Sequence, residues 1–529
     1  MASMNESRSS ISTDVPPGHR PPVRTDTERS AVHGTVRNAF WRMRNLLSLD
    51  GGGIRGYWTL LVLERLMKSI FLEELKQAAV GQTAFHSFMP EAFPDNVSQL
   101  DDDETGKKNP GRIFLPCHYF DFICGTSTGG LIAIMLGRFR MTVEDCLDEY
   151  KTMSDRIFGK PRWISQRNMG MPWPKYSSRS MEKAFQDVSL RRSDSTTTGK
   201  HHSTMPTFPS TEGICQTFVT TERTTKNTSG VDTKDFYLIR SYSHEENTRP
   251  VRPPNPDTSR RMVTPPKTNF GPAETMEIPK VARAVTAAPM YFKRLEFTHK
   301  IGTHDQKYYF TDGGFGRTNN PTVIGLDEID SIPGKHTIGA IVNIGTSRGN
   351  KADPSRTTAL GIVKALTDEA TNPGDVAKEM GRLNLDKYWR FNDDGGINVE
   401  LDEWRPAGFF TKRNYRGTIT IDTIEHAFNK WAAEQDNVYW LDHCARELVK
   451  IRRGRCIEEE KSRWEQYALA AHSYRCKHED CCTEPAYTSR HQFVEHWERV
   501  HEESDDGDDY KEPRFKQWIY QQKGPERRK

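Results

Sequence analysis

Long apolar runs are missing from this chain of 529 residues. The longest, Leu131 to Leu136, falls far short of the ~18 residues a transmembrane helix needs. Residues 1–40 lack the apolar core of a secretory signal, so the chain is expected to be cytoplasmic, with at most peripheral membrane contact. Cysteine is scarce, nine in all, which excludes a disulfide scaffold; only Cys476, Cys481 and Cys482 cluster, which raises a metal question instead. Net charge is also small: 75 Lys and Arg against 72 Asp and Glu give +3, so no bulk basic field for nucleic acid or anionic lipid exists. A hydrophobic share of 35% and a mean hydropathy of -0.76 describe folded domains diluted by polar segments.

Those segments are visible. Residues 1–44 are expected to be a disordered tail. Inserts at about 189–212 and 247–268, rich in Ser, Thr, Pro and charge, read as disordered surface loops, because they cannot bury enough apolar surface to offset chain entropy. Between them the pattern alternates. Leu46 to Leu49 and Phe120 to Cys124 read as buried strands, Trp58 to Leu75 and Leu131 to Leu136 as helices, and Phe236 to Ile239 and Ile338 to Ile344 as further strands. Residues 424–450 read as one or two amphipathic helices closing the unit. Strand, Gly-rich turn and helix in repetition predict an α/β domain over 45–455 with a mainly parallel sheet.

Two turns could carry chemistry. Asp50-Gly51-Gly52-Gly53-Ile54-Arg55-Gly56 follows a strand and opens a helix. Its Gly-x-Gly-x-x-Gly spacing matches a dinucleotide fingerprint, but the acids ~20 residues on, Glu73 and Glu74, lie in a helical pattern rather than at a strand end. A P-loop is excluded because no Gly-Lys-Ser/Thr follows. The remaining use of such a turn is to aim backbone N–H groups at a developing negative charge. Gly125-Thr126-Ser127-Thr128-Gly129 fits the G-x-S-x-G elbow, in which small residues let a strand turn sharply into a helix and expose a serine. Gly345-Thr346-Ser347-Arg348-Gly349 fits the same pattern, but a loop follows it instead of an apolar helix, so Ser127 is the candidate nucleophile and Ser347 a strand end. A serine needs a base. In Thr311-Asp312-Gly313-Gly314 an acid ends a strand beside two glycines; the plain alternative is an ordinary Asp-Gly turn.

Taken together, DGGGIRG, GTSTGG and DGG, in that order, resemble the patatin-like phospholipases, calcium-independent lipid acyl hydrolases. Val281 to Phe292 (VARAVTAAPMYF) is similar to the stretch that precedes the acid in that family, with Thr286 where serine is usual, and Asn319-Asn320-Pro321 to the segment after it. The resemblance implies a three-layer α/β/α domain, a Ser127/Asp312 dyad and an oxyanion hole formed by the backbone N–H groups of Gly51, Gly52, Gly53 and Arg55, with Gly56, Gly125, Gly129, Gly313 and Gly314 completing the motifs. It implies no cofactor for catalysis and a lipid substrate met at a membrane or droplet surface. Because a carboxyl of ordinary pKa, about 3.9, is a poor base, Asp312 must then sit in a dry site that raises it. The rival is a Ser–Asp–His triad, for which His336, His426 or His443 lie downstream.

Two further segments stand apart from the hydrolase motifs. Arg162 to Lys175 interleaves two Trp and two Met with basic residues, as an interfacial anchor would, or as residues capping a core would. Residues 474–502 carry Cys476, Cys482, His496 and His501 with Tyr487 and Phe493 at intervals resembling a two-cysteine, two-histidine zinc finger of ββα type. Cys481 is the alternative to Cys482, and incidental cysteines in a charged helical tail are the alternative to the finger. A closed shell of two thiolates and two imidazoles is structural. The acidic run in the charged disordered tail 503–529 repels phosphate, so a protein partner is expected for the finger rather than nucleic acid. The competing function is an interaction or nucleic-acid-binding protein in which the finger acts and the hydrolase fold is a scaffold.

Overall fold

A computed structural model describes residues 39–79, 114–159, 174–192, 205–210, 215–226, 232–244, 269–301, 304–314, 318–332, 336–348, 374–382, 386–404 and 417–457, with positions 460, 463, 464 and 467. The finger segment 474–502, the tail 503–529, the loop 247–268 and residues 162–173 lie outside the described residues.

One sheet organises the domain. Its strands are β1 (Met43–Leu49), β2 (Phe122–Thr126), β3 (Gln216–Lys226), β4 (Asp232–Arg240), β5 (Leu295–Ile301), β6 (His304–Asp312), β7 (Thr337–Ile344) and β8 (Tyr388–Phe391), in the order β5-β6-β3-β2-β1-β7-β8 with β4 also paired to β3. The sheet is mixed rather than mainly parallel. The half from β8 to β3 is parallel, while β3-β4, β3-β6 and β5-β6 are antiparallel.

Strand β3 explains how the site forms. β4 occupies one of its edges over Phe218 to Lys226. The other edge is divided: β2 pairs with Gln216 to Thr220 and β6 with Thr221 to Thr225. β2 runs parallel to β3 and ends at Thr126 opposite Thr220, while β6 runs antiparallel and ends at Asp312 opposite Thr221. The two strand ends therefore meet head to head at adjacent residues of β3.

Both faces of the sheet are covered. Alternation along β1 and β2 sends Leu47, Leu49 and Ile123 into the larger core and Leu46, Phe122 and Cys124 into the smaller one, as the two-residue period of a strand requires. The larger core is roofed by α1 (Gly56–Ala79), α2 (Thr128–Ala133), α3 (Val143–Phe158), α4 (Ser178–Arg192), α5 (Ile278–Val285), α8 (Thr418–Ala432) and α9 (Gln435–Arg455), the smaller by α6 (Thr322–Ser331) and α7 (Gly374–Arg382). The helix expected over Leu131 to Leu136 is α2 followed by a π-turn over Ile134–Arg138. The 424–450 pattern is two helices, α8 and α9, broken at Ala433 and Glu434.

Several expected borders move. Trp41 is buried and β1 begins at Met43, so the tail ends earlier than residue 44. Ser189 lies in α4, and Phe208 is fully buried with its N–H donating to the Met276 carbonyl; both stand inside the segment expected to be a disordered insert. At the other end Cys456 and Trp464 pack on Trp41, which carries the core beyond residue 455.

Candidate active site

The strand-to-helix turn after β2 holds Ser127 at φ 53° and ψ −125°, a conformation that costs a non-glycine residue on the order of 1–3 kcal/mol and persists only where the surroundings enforce it. Here close packing enforces it. A Cβ at Gly125 would lie 2.1 Å from the Gly129 carbonyl oxygen, and one at Gly129 2.4 Å from the Leu49 carbonyl oxygen. Glycine at 125 lets the elbow close on its own helix, and glycine at 129 lets it approach β1.

Asp312 is buried and its carboxylate is hydrogen-bonded by the Ser127 side chain and by the Gly314 N–H, 2.8 Å away. Burial pushes its pKa up to about 7, against the hydrogen bonds from Ser127 and Gly314 that pull it down. The carboxyl therefore exchanges its proton near neutrality, which suits a base that must also return the proton. Gly313 follows because a Cβ there would meet the Thr220 carbonyl at 2.8 Å. The hydroxyl pair of Thr126 and Thr220, 2.6 Å apart, ties the nucleophile's strand to β3 beneath the site.

The glycine loop lies across the pocket from these two. Gly51 donates its N–H to the Asn319 carbonyl, Gly52 to Thr128 Oγ1, and Arg55 to the Gly52 carbonyl. Among the four amides expected to form the oxyanion hole, Gly53 alone makes no such bond among the described residues. Arg55 does not line the pocket, and its N–H closes a 3-10 turn over Gly53–Arg55, so an amide role for Arg55 does not fit this geometry. Gly53 is itself constrained, with φ +58° and the Leu401 carbonyl 1.9 Å from where a Cβ would sit. Thr128, the residue after the serine, lines the same pocket at the N-terminus of α2, where amides lack intrahelical acceptors. Its place beside the serine in an elbow was the signal for it. Asn319 also lines the pocket, its Nδ2 donating to the Gly51 carbonyl at 3.3 Å.

Behind the loop Asp50 accepts from Asn343 Nδ2 at 2.8 Å and pairs with Arg390 at 3.0 Å. The cation bound to Asp50 is thus Arg390, supplied by β8. Burial raises the Asp50 carboxyl, and Arg390 and Asn343 draw it back down.

The pocket has a volume of about 620 Å³, its open mouth included, and is walled mainly by Phe158, Met181, Ala288, Tyr291, Phe292 and Leu401. It reaches Ser127, Asp312 and Gly53 together. Thr286 also lines it, with its hydroxyl donating to the Ala282 carbonyl at 2.7 Å. None of the three candidate histidines lines it. His336 Nδ1 accepts from Arg44, His443 Nδ1 accepts from Trp389, and His426 is exposed on α8. Ser347 shares the positive φ, at 51°, and donates to Asp393 at 3.1 Å, but it is fully buried and does not reach the pocket.

The proposed zinc ligands Cys476, Cys482, His496 and His501 lie outside the described residues, and among the described residues no cluster of three or more His, Cys, Asp or Glu could hold a metal. Among them, too, no helix is long and apolar enough to cross a membrane.

Known proteins are similar to this chain in sequence. Residues 112–325 match the family model described as patatin-like phospholipase, a span that contains Ser127 and Asp312 and begins after the glycine loop. Similar curated proteins include calcium-independent phospholipase A2-gamma of Rattus norvegicus, 24% identical over 380 residues covering 71% of this chain and 38% of that protein. Patatin-like phospholipase 1 of Plasmodium falciparum is 24% identical over 379 residues, covering 68% and 44%. Phospholipase A I of Arabidopsis thaliana is 28% identical over 129 residues, covering 24% and 6%. The chain spans less than half the length of these relatives. Over residues 112–325 the chain is thus similar to patatin-like phospholipases.

Proposed function

We propose that this chain is a serine-dependent lipid acyl hydrolase that cleaves carboxylic esters of phospholipids or other glycerolipids. The observation that carries the reading is the Ser127–Asp312 hydrogen bond at the floor of an apolar pocket, with the acid's pKa pushed up to about 7. Ionised Asp312 takes the proton of Ser127 Oγ as it attacks the ester carbonyl. The oxyanion then faces the amides of Gly53 and Thr128, whose partial positive charges stabilise it. Collapse of the tetrahedral intermediate expels the alcohol, which leaves with the proton held by Asp312, and an acyl group remains on Ser127. Water, deprotonated by Asp312, releases the fatty acid and restores the serine.

This chemistry supplies nucleophile, base and oxyanion donors from the chain itself, so no catalytic metal is called for, and hydrolysis should persist in a chelator. The decisive assay sets purified full-length protein against phospholipid, lysophospholipid and triglyceride, with and without chelator, beside Ser127→Ala. Ester cleavage that survives Ser127→Ala, or that requires calcium strictly, would contradict the dyad.

For the C-terminal segment the reading is a structural zinc held by Cys476, Cys482, His496 and His501, with a protein partner for the module. What supports it is ligand type and spacing alone. Metal analysis of the full chain and of a chain truncated near residue 465 should find about one zinc per chain in the first and none in the second; zinc retained after truncation would refute it.

A further inference from the structure

The loop that walls the catalytic pocket turns one apolar side chain outward. Ala288, Tyr291 and Phe292 line the pocket, whereas Met290 between them is 49% exposed and sits at φ 69°. That conformation is rare for a non-glycine residue outside Asn, Asp and His. An exposed methionine held in strained backbone beside an apolar pocket is not explained by packing.

Its neighbours are basic. The segments 175–178 and 290–293 lie side by side: Lys175 N–H donates to the Met290 carbonyl at 2.9 Å, Tyr176 N–H to the Tyr291 carbonyl at 2.9 Å, and Lys293 N–H to Ser178 Oγ at 3.0 Å. This register places Lys175, Arg179, Lys293 and Arg294 around the exposed Pro289–Met290 tip. Arg179, Lys293 and Arg294 are exposed, and the Lys175 side chain is 42% exposed. Arg294 is held over the Tyr309 ring at 3.9 Å, and the Arg283 guanidinium fixes the loop by donating to the Lys293 carbonyl at 3.0 Å. Of the nearby acids, Asp402 pairs with Lys175 itself at the pocket wall, so the charge offered to a surface comes mainly from Arg179, Lys293 and Arg294, and Glu182 acts on Arg283.

We propose that the Pro289–Met290 tip and its ring of Lys175, Arg179, Lys293 and Arg294 form a docking surface for an anionic lipid bilayer, which places the pocket mouth against the membrane. The inference rests on the lipid-hydrolase reading for its choice of occupant and adds the orientation and the lipid charge. An apolar tip buries itself at the headgroup boundary, while basic residues near an anionic surface each strengthen binding by about fivefold.

The test separates docking from chemistry. Full-length Ser127→Ala protein is measured for cosedimentation with vesicles of phosphatidylcholine, alone or with phosphatidylserine, with and without Met290→Asn or Lys293→Ala added. Asparagine tolerates the positive φ, so Met290→Asn removes the apolar tip without new strain. Both substitutions are also placed on the wild-type background and assayed on a soluble short-chain ester. Expected are a loss of binding of about fivefold for Lys293→Ala that appears only with phosphatidylserine, a loss on both vesicles for Met290→Asn, and soluble-ester rates within twofold of wild type. Unchanged vesicle binding in both variants, or soluble-ester rates that fall in step with binding, would overturn the proposal. If wild type cleaved no ester, the hydrolase reading would fail separately, since the binding arms are scored without turnover.

Discussion

Thr126 and Asp312, the last residues of β2 and β6, stand opposite the adjacent residues Thr220 and Thr221 of β3. A nucleophile and an acid far apart in sequence thus reach hydrogen-bonding distance because one strand edge serves two partners. The geometry of the pair is set by sheet register more than by either loop, and a one-residue slip in β3 would exchange the faces of its side chains.

Ser127→Ala should lower ester hydrolysis by on the order of 10⁴-fold or more with little effect on Tm, since the residue is replaced at the pocket wall. Ser347→Ala should keep most activity but lose some stability, because it removes the donor to Asp393 Oδ2 and leaves the carboxylate only the Gly395 N–H. Labelling by a fluorophosphonate, read by mass spectrometry, should fall on Ser127 alone. Labelling of Ser347 would reverse the assignment.

The pH profile follows from the sign of the Asp312 shift. With its pKa raised to about 7, the base form accumulates above that pH, so kcat should climb as pH rises through about 7 and level off beyond it. Stability moves the opposite way. A buried carboxyl with a raised pKa loses stability as pH rises from its ordinary value of 3.8 to about 7. Asp312→Asn should therefore be inactive and should melt higher than wild type at pH 8, a difference that shrinks at pH 4. A rate profile flat from pH 5 to 9 would argue against Asp312 as the base.

Arg390→Met should destabilise the domain by roughly 3–5 kcal/mol, because it leaves Asp50 buried without its cation. The Asp50 carboxyl then rises further, so the deficit should grow as pH increases and shrink in acid. Denaturant unfolding at two pH values checks both parts.

Gly53→Ala should abolish activity. Its φ of +58° and the Leu401 carbonyl both oppose a side chain there, and the amide offered to the oxyanion would have to move. Gly381→Ala is the control: nothing lies within 4 Å of that position in α7, and alanine in a helix should stabilise by up to ~1 kcal/mol. Thermal melts and ester kinetics on both variants decide the matter.

The elements nearest the chemistry were the legible ones. Ser127 could be singled out because an elbow needs glycine where backbones touch, and glycine is visible in sequence; Asp312 was legible only through the family resemblance, since its spacing alone fits an ordinary Asp-Gly turn. The antiparallel half of the sheet was not legible. The outer half of β3, Thr221-Glu222-Arg223-Thr224-Thr225-Lys226, lacks apolar alternation and is a strand because it has neighbours on both edges. Arg390 was hidden for a related reason: no local pattern marks a residue whose partner, Asp50, is brought to it by β8 pairing with β7. Phe208 was misplaced because a polar stretch concealed one aromatic anchor.

The shared edge of β3 also fixes when activity can appear during folding. The β3-β4 hairpin is local, whereas β2 meets β3 from Phe122 to Gln216 and β6 meets it from Thr221 to Asp312, two loops of similar length that carry similar closure entropy. Neither contact has precedence, yet the dyad exists only once both are made. Turnover in a refolding chain would then lag the faster of the two pairings, with the dyad acting as a reporter that both have closed.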